Sequence, residues 1–239
     1  MKDHEILLGL TTTPRSDWRE KTKEIDQLSL KKIALFPTYL KIKDREELYG
    51  LLEKSSIKRI PHVHLRDDME KWELDYLSEK YKTKLFNIHI WDNLNKILKN
   101  YSAYLDKIYI ENNVATGKEF VNSLKKVAGI CLDFSHYHDL WVIQKIPSYA
   151  GFPALLKKHT IGCCHISAIR KKSVPYNSWD IKVPEINKLF SCHLLNDFSE
   201  LDYVKKYIDY LPKYVSIELE NSFQEQLRVK KYLEKIING

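Results

Sequence analysis

The chain has 239 residues, of which 44% are hydrophobic and 30% are charged, so it can form a packed core and wholesale disorder is excluded. It contains no apolar run of about 18 residues, which excludes a membrane span, and its first residues do not resemble a signal peptide. A cytoplasmic protein with reduced cysteines is expected. The net charge of +7 fits an anionic substrate, a nucleic acid or simply solvated helix faces.

A short apolar run followed by a charged, helix-like segment recurs along the chain. The runs predict eight strands, over residues 5–12, 32–37, 59–65, 85–91, 107–111, 129–133, 161–166 and 214–220. The segments between them predict helices over residues 44–54, 68–81, 117–126, 140–159, 199–211 and 222–237, with another over 91–106. Alternation of strands and helices is typical of a parallel sheet.

Eight such units predict a single (β/α)8 TIM barrel that forms one domain over residues 1–239. A doubly wound open sheet is the alternative, and its central strands would be apolar on both faces. Side chains alternate between the two faces of a strand. One face here is apolar, whereas the other is polar in six successive strands and reads His62/His64, Asn87/His89, Tyr109/Glu111, Cys131/Asp133, Cys163/His165 and Ser216/Glu218.

These polar groups need a partner, because each unpaired charge in an apolar interior costs several kcal/mol. Taken singly, they have simpler explanations: His64 or His89 could be a hydrogen-bonded structural residue, and Asp133 with His136 could be a capping pair. Their shared parity at the carboxyl ends of successive strands instead predicts a divalent cation at the catalytic face of the barrel.

Four segments carry a family resemblance: Ile-Glu-Asn-Asn at 110–113, Cys-Leu-Asp-Phe-Ser-His at 131–136, Cys-His-Ile-Ser at 164–167 and Val-Ser-Ile-Glu-Leu-Glu at 215–220. Their order resembles the xylose isomerase-like TIM-barrel superfamily. That superfamily includes sugar and sugar-phosphate isomerases and epimerases, and endonuclease IV-type apurinic endonucleases. The resemblance extends from about residue 32 to the C-terminus.

The isomerase and epimerase branch provides the first functional hypothesis. The resemblance implies that Glu111, Asp133, His165 and Glu218 bind one divalent metal, which would be Mn2+, Mg2+, Co2+ or Zn2+. Glu111 and Glu218 would also be catalytic, exchanging a proton next to a carbonyl through an enediolate that the metal stabilises. His136 would contact the substrate, a small sugar, sugar phosphate or related hydroxy-carbonyl compound.

The endonuclease branch provides the alternative, a zinc phosphoesterase, and only this alternative makes DNA a partner. The resemblance then implies three zinc ions, for which His64 (or His62), His89 and His193 could provide ligands. In the isomerase the histidines at 64, 89 and 193 would bind substrate. Ser191 occupies the place of an expected aspartate, which puts one ligand of the third zinc in doubt. A third hypothesis is a barrel that only binds a ligand, and the superfamily often forms homo-oligomers.

The segment 168–198 is long for a connection between a strand and a helix. Its basic run at 170–172 predicts either a lid that grips phosphate or a solvated excursion. Tyr176 and Trp179 are the aromatic residues in this segment best suited to contact DNA.

Overall fold

The fold is a nearly closed parallel β-barrel surrounded by helices, in a computed structural model that describes residues 4–14, 16–90, 94–113, 117–175 and 186–239. The described strands are β1 (Glu5–Leu7), β2 (Gly9–Thr11), β3 (Ala34–Phe36), β4 (His62–His64), β5 (Leu85–Ile88), β6 (Ile108–Glu111), β7 (Gly129–Asp133), β8 (Ile161–Ile166), β9 (Ala168–Pro175), β10 (Lys188–Cys192) and β11 (Tyr214–Ile217). Nine of these strands are parallel and form the barrel in the order β1-β11-β8-β7-β6-β5-β4-β3-β2. The predicted α/β barrel is confirmed at this level.

Helices follow most of the barrel strands. They are α1 (Trp18–Gln27), α2 (Ile42–Lys54), α3 (Lys71–Tyr81), α4 (Leu94–Asn100), α5 (Lys118–Leu124), α6 (Phe134–His136), α7 (Phe152–Lys158) and α8 (Phe223–Asn238). Three 3-10 helices cover Ser102–Lys107, Pro147–Tyr149 and Phe198–Tyr210, and a π-helix covers Tyr137–Ile143. Within the described part of the chain, no helix has both the length and the apolar character needed to traverse a bilayer.

The helix predicted over 140–159 is wrong in detail, since the segment contains a π-helix, a 3-10 turn and α7. Pro147 explains the interruption. The residue before a proline avoids helical geometry, and Ile146 has φ −62° and ψ 123°. A second proline, Pro153, lies in the first turn of α7, where its missing N–H costs nothing.

The two ends of the strand order are adjacent along the chain, because only Leu8 separates β1 from β2. At this seam a side chain on Gly9 would place a Cβ 2.0 Å from the carbonyl oxygen of Ile217, so only glycine fits. The buried Gln226 of α8 accepts from the N–H of Gly9 at 2.8 Å and donates to its carbonyl at 2.9 Å. These bonds satisfy backbone groups at the seam.

The two predicted faces of the strands are both buried. The apolar face, represented by Val63, Ile88 and Ile110, is fully buried in the main hydrophobic cluster of strands and helices. Full burial of such a side chain contributes about 1.5–3 kcal/mol. The polar face, including His64 and Glu111, is almost as inaccessible. The apolar side chains therefore pack against the surrounding helices, and the polar side chains occupy the interior of the barrel.

The segment predicted as a long loop contains a hairpin. Strands β9 and β10 pair antiparallel, from Ala168 opposite Cys192 outward. The buried Asp139 of the π-helix anchors this hairpin, because its Oδ2 accepts from the N–H groups of Phe190 and Ser191 at 2.7 and 2.8 Å. The predicted aromatic residues at 176 and 179 lie outside the described residues.

Candidate metal centre

A cavity of about 160 Å³ opens at the carboxyl ends of the barrel strands, the face that carries catalysis in TIM barrels. It would hold about five water molecules, so it suits a small molecule or one end of a larger one. Its lining residues are Thr38, Tyr39, His64, Leu65, Arg66, His89, Glu111, His136, His193 and Glu218.

Two histidines from neighbouring strands converge on Glu111 inside this cavity. The Nε2 atoms of His64 and His89 lie 3.1 and 3.2 Å from the two carboxylate oxygens of Glu111, and 3.1 Å from each other. His64 donates its Nδ1 proton to the carbonyl of Leu65 at 2.8 Å, so a neutral His64 presents an Nε2 lone pair to the cavity. Lone pairs and carboxylate oxygens at this spacing could hold a cation.

A second group of ligand atoms adjoins the first. His165 Nδ1 lies 3.1 Å from Glu218 Oε2 and 3.5 Å from Glu111 Oε2, and with Asp133 and Glu218 it forms a possible ligand set. Asp133 caps the following short helix, because its Oδ1 accepts from the N–H of His136 at 2.8 Å. Within the described residues, Asp133 Oδ2 and His165 Nδ1 are buried and form no hydrogen bond.

The electrostatics of the site favour positive charge. Burial raises the pKa of Glu111, but the imidazoles of His89 and His165 outweigh it and hold that pKa well below its usual range. Burial likewise raises the pKa of Glu218, and His165 brings it down to about 2. Burial lowers the pKa of His165, yet Glu111 and Glu218 raise it to about 10. Both glutamates are therefore ionised, and they attract either protons on the imidazoles or cations between them.

The residues present fit divalent cations. A buried polar atom without a hydrogen bond costs about 1–3 kcal/mol, and a cation would satisfy Asp133 Oδ2. It would also give His165 Nδ1 a ligand in place of its ion pair with Glu218. One cation could be held by Asp133, His165 and Glu218, and Glu111 Oε2 lies 3.5 Å from His165 Nδ1. The set of four ligands with Glu111 stays a prediction. A second would be held by His64, His89 and Glu111. The mixture of imidazole and carboxylate ligands suits Zn2+, Mn2+ or Co2+ better than Ca2+.

The other two predicted histidines lie at the edge of this centre. His136 Nε2 is 3.8 Å from Asp133 Oδ2, and its Nδ1 is 3.5 Å from Ser191 Oγ. His193 approaches the backbone carbonyl of Glu218 through Nδ1, at 3.2 Å. Among the described residues, no group of three close ligand atoms includes His193. His136 also forms a possible ligand set with Glu111 and Asp133. Ser191, which lies beside His136, provides no carboxylate where the zinc hypothesis expected an aspartate.

His62, the substitute considered for His64, lies deeper in the barrel. Its ring nitrogens contact Ser216 Oγ at 2.7 Å and Asn87 Oδ1 at 2.9 Å, so both are already engaged. Sequence reasoning did not assign a role to this deeper layer. Asn87 Nδ2 donates to Glu111 Oε2 at 2.5 Å, and Cys131 Sγ lies 3.3 Å from His165 Nε2. Their position in the sequence could have identified them. Asn87 and Cys131 each lie two residues before a predicted site residue, His89 and Asp133, and therefore on the same face of the strand.

Comparisons of the chain with protein-family models, with curated proteins and with solved structures found no match. The superfamily resemblance seen in the sequence therefore receives no support from these comparisons. The arrangement of side chains in the cavity provides the basis for assigning a function.

Proposed function

We propose that this chain is a metal-dependent phosphoesterase whose cavity binds two divalent cations that share Glu111. The convergence of His64 and His89 on that carboxylate carries the proposal. We also propose that the barrel is of the (β/α)8, xylose isomerase-like type. The single-residue separation of β1 and β2 supports this, because the two segments can be counted as one strand.

The surroundings of Glu111 favour a bridging ligand over a general base. A base needs a carboxylate oxygen that is free to reach a proton of the substrate. Oε1 of Glu111 faces His89, whereas Oε2 faces His64 and accepts a hydrogen bond from Asn87. Oε2 also lies 3.5 Å from Nδ1 of His165, so Glu111 stands between the ligand group of His64 and His89 and the ligand group of His165. It could therefore be shared by a cation in each group.

Two bound cations would supply Lewis acidity, which polarises a phosphoryl oxygen and acidifies an attacking water. The protein orients the ligands for this chemistry. The carbonyl of Leu65 holds the tautomer of His64, the contact with Cys131 positions His165, and Asn87 holds one oxygen of Glu111. Such outer contacts are a usual feature of metal centres. The substrate class is a phosphoester with a small reacting end, and a nucleic-acid phosphodiester is one member of that class.

Elemental analysis of the chain purified without chelator tests the proposal. We expect two cations per wild-type chain and one in His89→Ala, because that change removes a ligand of only one cation. His159→Ala is the matched control, since His159 precedes β8 at the opposite end of the barrel and should leave both cations in place. Wild-type protein with one cation, or with no hydrolysis of bis(4-nitrophenyl) phosphate or 4-nitrophenyl phosphate, would contradict it.

A one-cation isomerase or epimerase is the second candidate. Glu111 and Glu218 both line the cavity, which favours this function because carboxylates from different strands could act on one substrate. Incubation of the metal-loaded chain with a panel of ketoses in heavy water separates the two candidates. Deuterium uptake by the sugar together with a single bound cation would support the isomerase. A chain that binds no cation and whose stability is unchanged by chelators would be a ligand-binding barrel.

A further inference from the structure

A series of ion pairs leads from the protein interior to the mouth of the cavity. The fully buried Arg45 pairs with Glu73 through two hydrogen bonds, of 2.8 Å from Nε and 2.9 Å from Nη2. Arg45 also donates from Nη1 to Asp68 Oδ1 at 3.0 Å. The same oxygen of Asp68 accepts from Arg66 Nε at 2.9 Å. The series therefore ends at Arg66, which lines the cavity.

The guanidinium of Arg66 is held in place from one side only. Nε contacts Asp68, and Nη1 donates to the carbonyl of Thr38. Nη2 makes no hydrogen bond to any described residue, and the side chain remains 24% exposed. Arg66 thus has fixed geometry and at least one amino group available to a ligand.

Stability does not account for this arrangement. Exposed ion pairs contribute about 0–1 kcal/mol, and the side chain of Asp68 is 42% exposed. Asp68 already has Arg45 as a partner, so Arg66 is not needed to neutralise a buried charge. What the series does provide is orientation, because a fixed guanidinium loses little entropy when it binds an anion.

We propose that Arg66 binds a second anionic group of the substrate, a phosphate or carboxylate separate from the phosphoester at the cations. This inference rests on the proposed function and narrows its substrate to molecules with two anionic ends. Among the described residues that line the cavity, Arg66 alone carries a permanent positive charge. Its planar fork matches the oxygens of phosphate and carboxylate groups.

Three phosphonates that cannot be hydrolysed test the role of Arg66 in the Mn2+-loaded full chain. Methylphosphonate has one anionic group, 3-phosphonopropanoate adds a carboxylate, and propane-1,3-bisphosphonate adds a second phosphonate. By calorimetric titration, wild type should bind at least one of the two-headed ligands about tenfold or more tightly than methylphosphonate. The preferred ligand identifies the second group as carboxylate or phosphate.

Arg66→Gln should abolish this preference and leave the Kd of methylphosphonate unchanged. Arg66→Lys keeps the charge but loses the planar guanidinium, so it should retain part of the preference. If Arg66→Gln does not fold, the reduced preference of Arg66→Lys tests the role of Arg66 instead. Arg19→Gln is the control, because Arg19 pairs with Glu47 on the exposed surface. No preference in wild type, or equal weakening of all three ligands by Arg66→Gln, would overturn the inference.

The cation count keeps this test separate from the test of the proposed function. One cation per chain, with a ligand preference that Arg66→Gln abolishes, would refute the two-cation phosphoesterase and retain the anion-binding role of Arg66. Two cations and phosphoester hydrolysis, without any preference for two-headed ligands, would retain the phosphoesterase and refute the role of Arg66.

Discussion

Cys131 should control how tightly the candidate metal centre binds the cation that His165 would hold, although Cys131 is not itself one of the proposed ligands. Its Sγ lies 3.3 Å from Nε2 of His165, and both side chains are fully buried. The other ring nitrogen, Nδ1, faces Glu218 at 3.1 Å. When the Nε2 proton is directed to the sulfur, Nδ1 presents its lone pair to a cation. Cys131 is therefore a positioning residue.

The Cys131→Ala variant removes this acceptor and leaves the N–H of His165 unpaired in the barrel interior, where such a donor costs about 1–3 kcal/mol. Loss of an outer partner of a metal-binding histidine typically weakens metal affinity about 10- to 100-fold, which corresponds to about 1.4–2.8 kcal/mol. Cys131→Ser retains an oxygen that can accept the hydrogen bond, so its loss of affinity should be smaller.

Competition with a chromogenic chelator for Zn2+ or Co2+ measures these affinities. Cys164→Ala is the matched control, because Cys164 is equally buried on the next strand but belongs to the main hydrophobic cluster rather than the barrel interior. Thermal melting of each variant establishes that it is folded. If Cys131→Ala and Cys164→Ala bind metal with the same affinity as wild type, the positioning role of the thiol is refuted.

Three further predictions concern stability, each measured by urea or thermal unfolding. Burial lowers the pKa of Lys21 from 10.5 to about 8, so between these pH values the folded chain binds fewer protons than the unfolded chain. At about 1.4 kcal/mol per pKa unit, the buried charge of Lys21 destabilises the fold by about 3 kcal/mol below pH 8. The destabilisation decreases as the pH rises from 8 to 10.5. Lys21→Met should raise the free energy of unfolding by about 2 kcal/mol at pH 7, since loss of the hydrogen bond to the carbonyl of Leu219 offsets part of the gain. An equal gain at pH 10.5 would contradict this explanation. Arg45→Met should cost about 3–5 kcal/mol, because it leaves the side chain of Glu73 buried without its cationic partner. The double variant Arg45→Met with Glu73→Leu should recover part of the loss, and equal losses in the two variants would refute this explanation. Chelation should lower the melting temperature, because each cation present at a hundred times its Kd adds about 2.7 kcal/mol to the free energy of unfolding. His89→Ala should lose about half as much stability on chelation as wild type. An unchanged wild-type melting temperature would argue against bound cations.

The positions of the strands could be predicted because each strand of a parallel barrel is a short apolar run in the sequence. The run at 161–166 was predicted with its observed bounds, whereas the run at 214–220 ends earlier, at Ile217. The hairpin of β9 and β10 was not predicted, because most residues of its strands are half-buried or exposed and the strands lack an apolar pattern. Strand ends depend on pairing with neighbours, which local periodicity does not record.

The candidate ligands could be predicted for a related reason. Alternation along a strand specifies which residues share a face, and this placed Glu111, Asp133 and His165 on the inner side. The register between strands then decides which of them meet, as when Asp133 pairs opposite His165. That register is set by hydrogen bonds between strands that are distant in sequence, so it cannot be predicted from any single segment.

By itself, the sequence determined which side chains face the interior of the barrel, because the two-residue period of a strand is a local property. Only the tertiary structure brought His64 and His89 together at Glu111, since their separation depends on how neighbouring strands curve around the barrel. It also linked Arg66 to the buried Arg45 of α2 through Asp68. Contacts between separate elements arise from packing of the whole chain, and they distinguish a cluster of converging side chains from a simple row of polar residues.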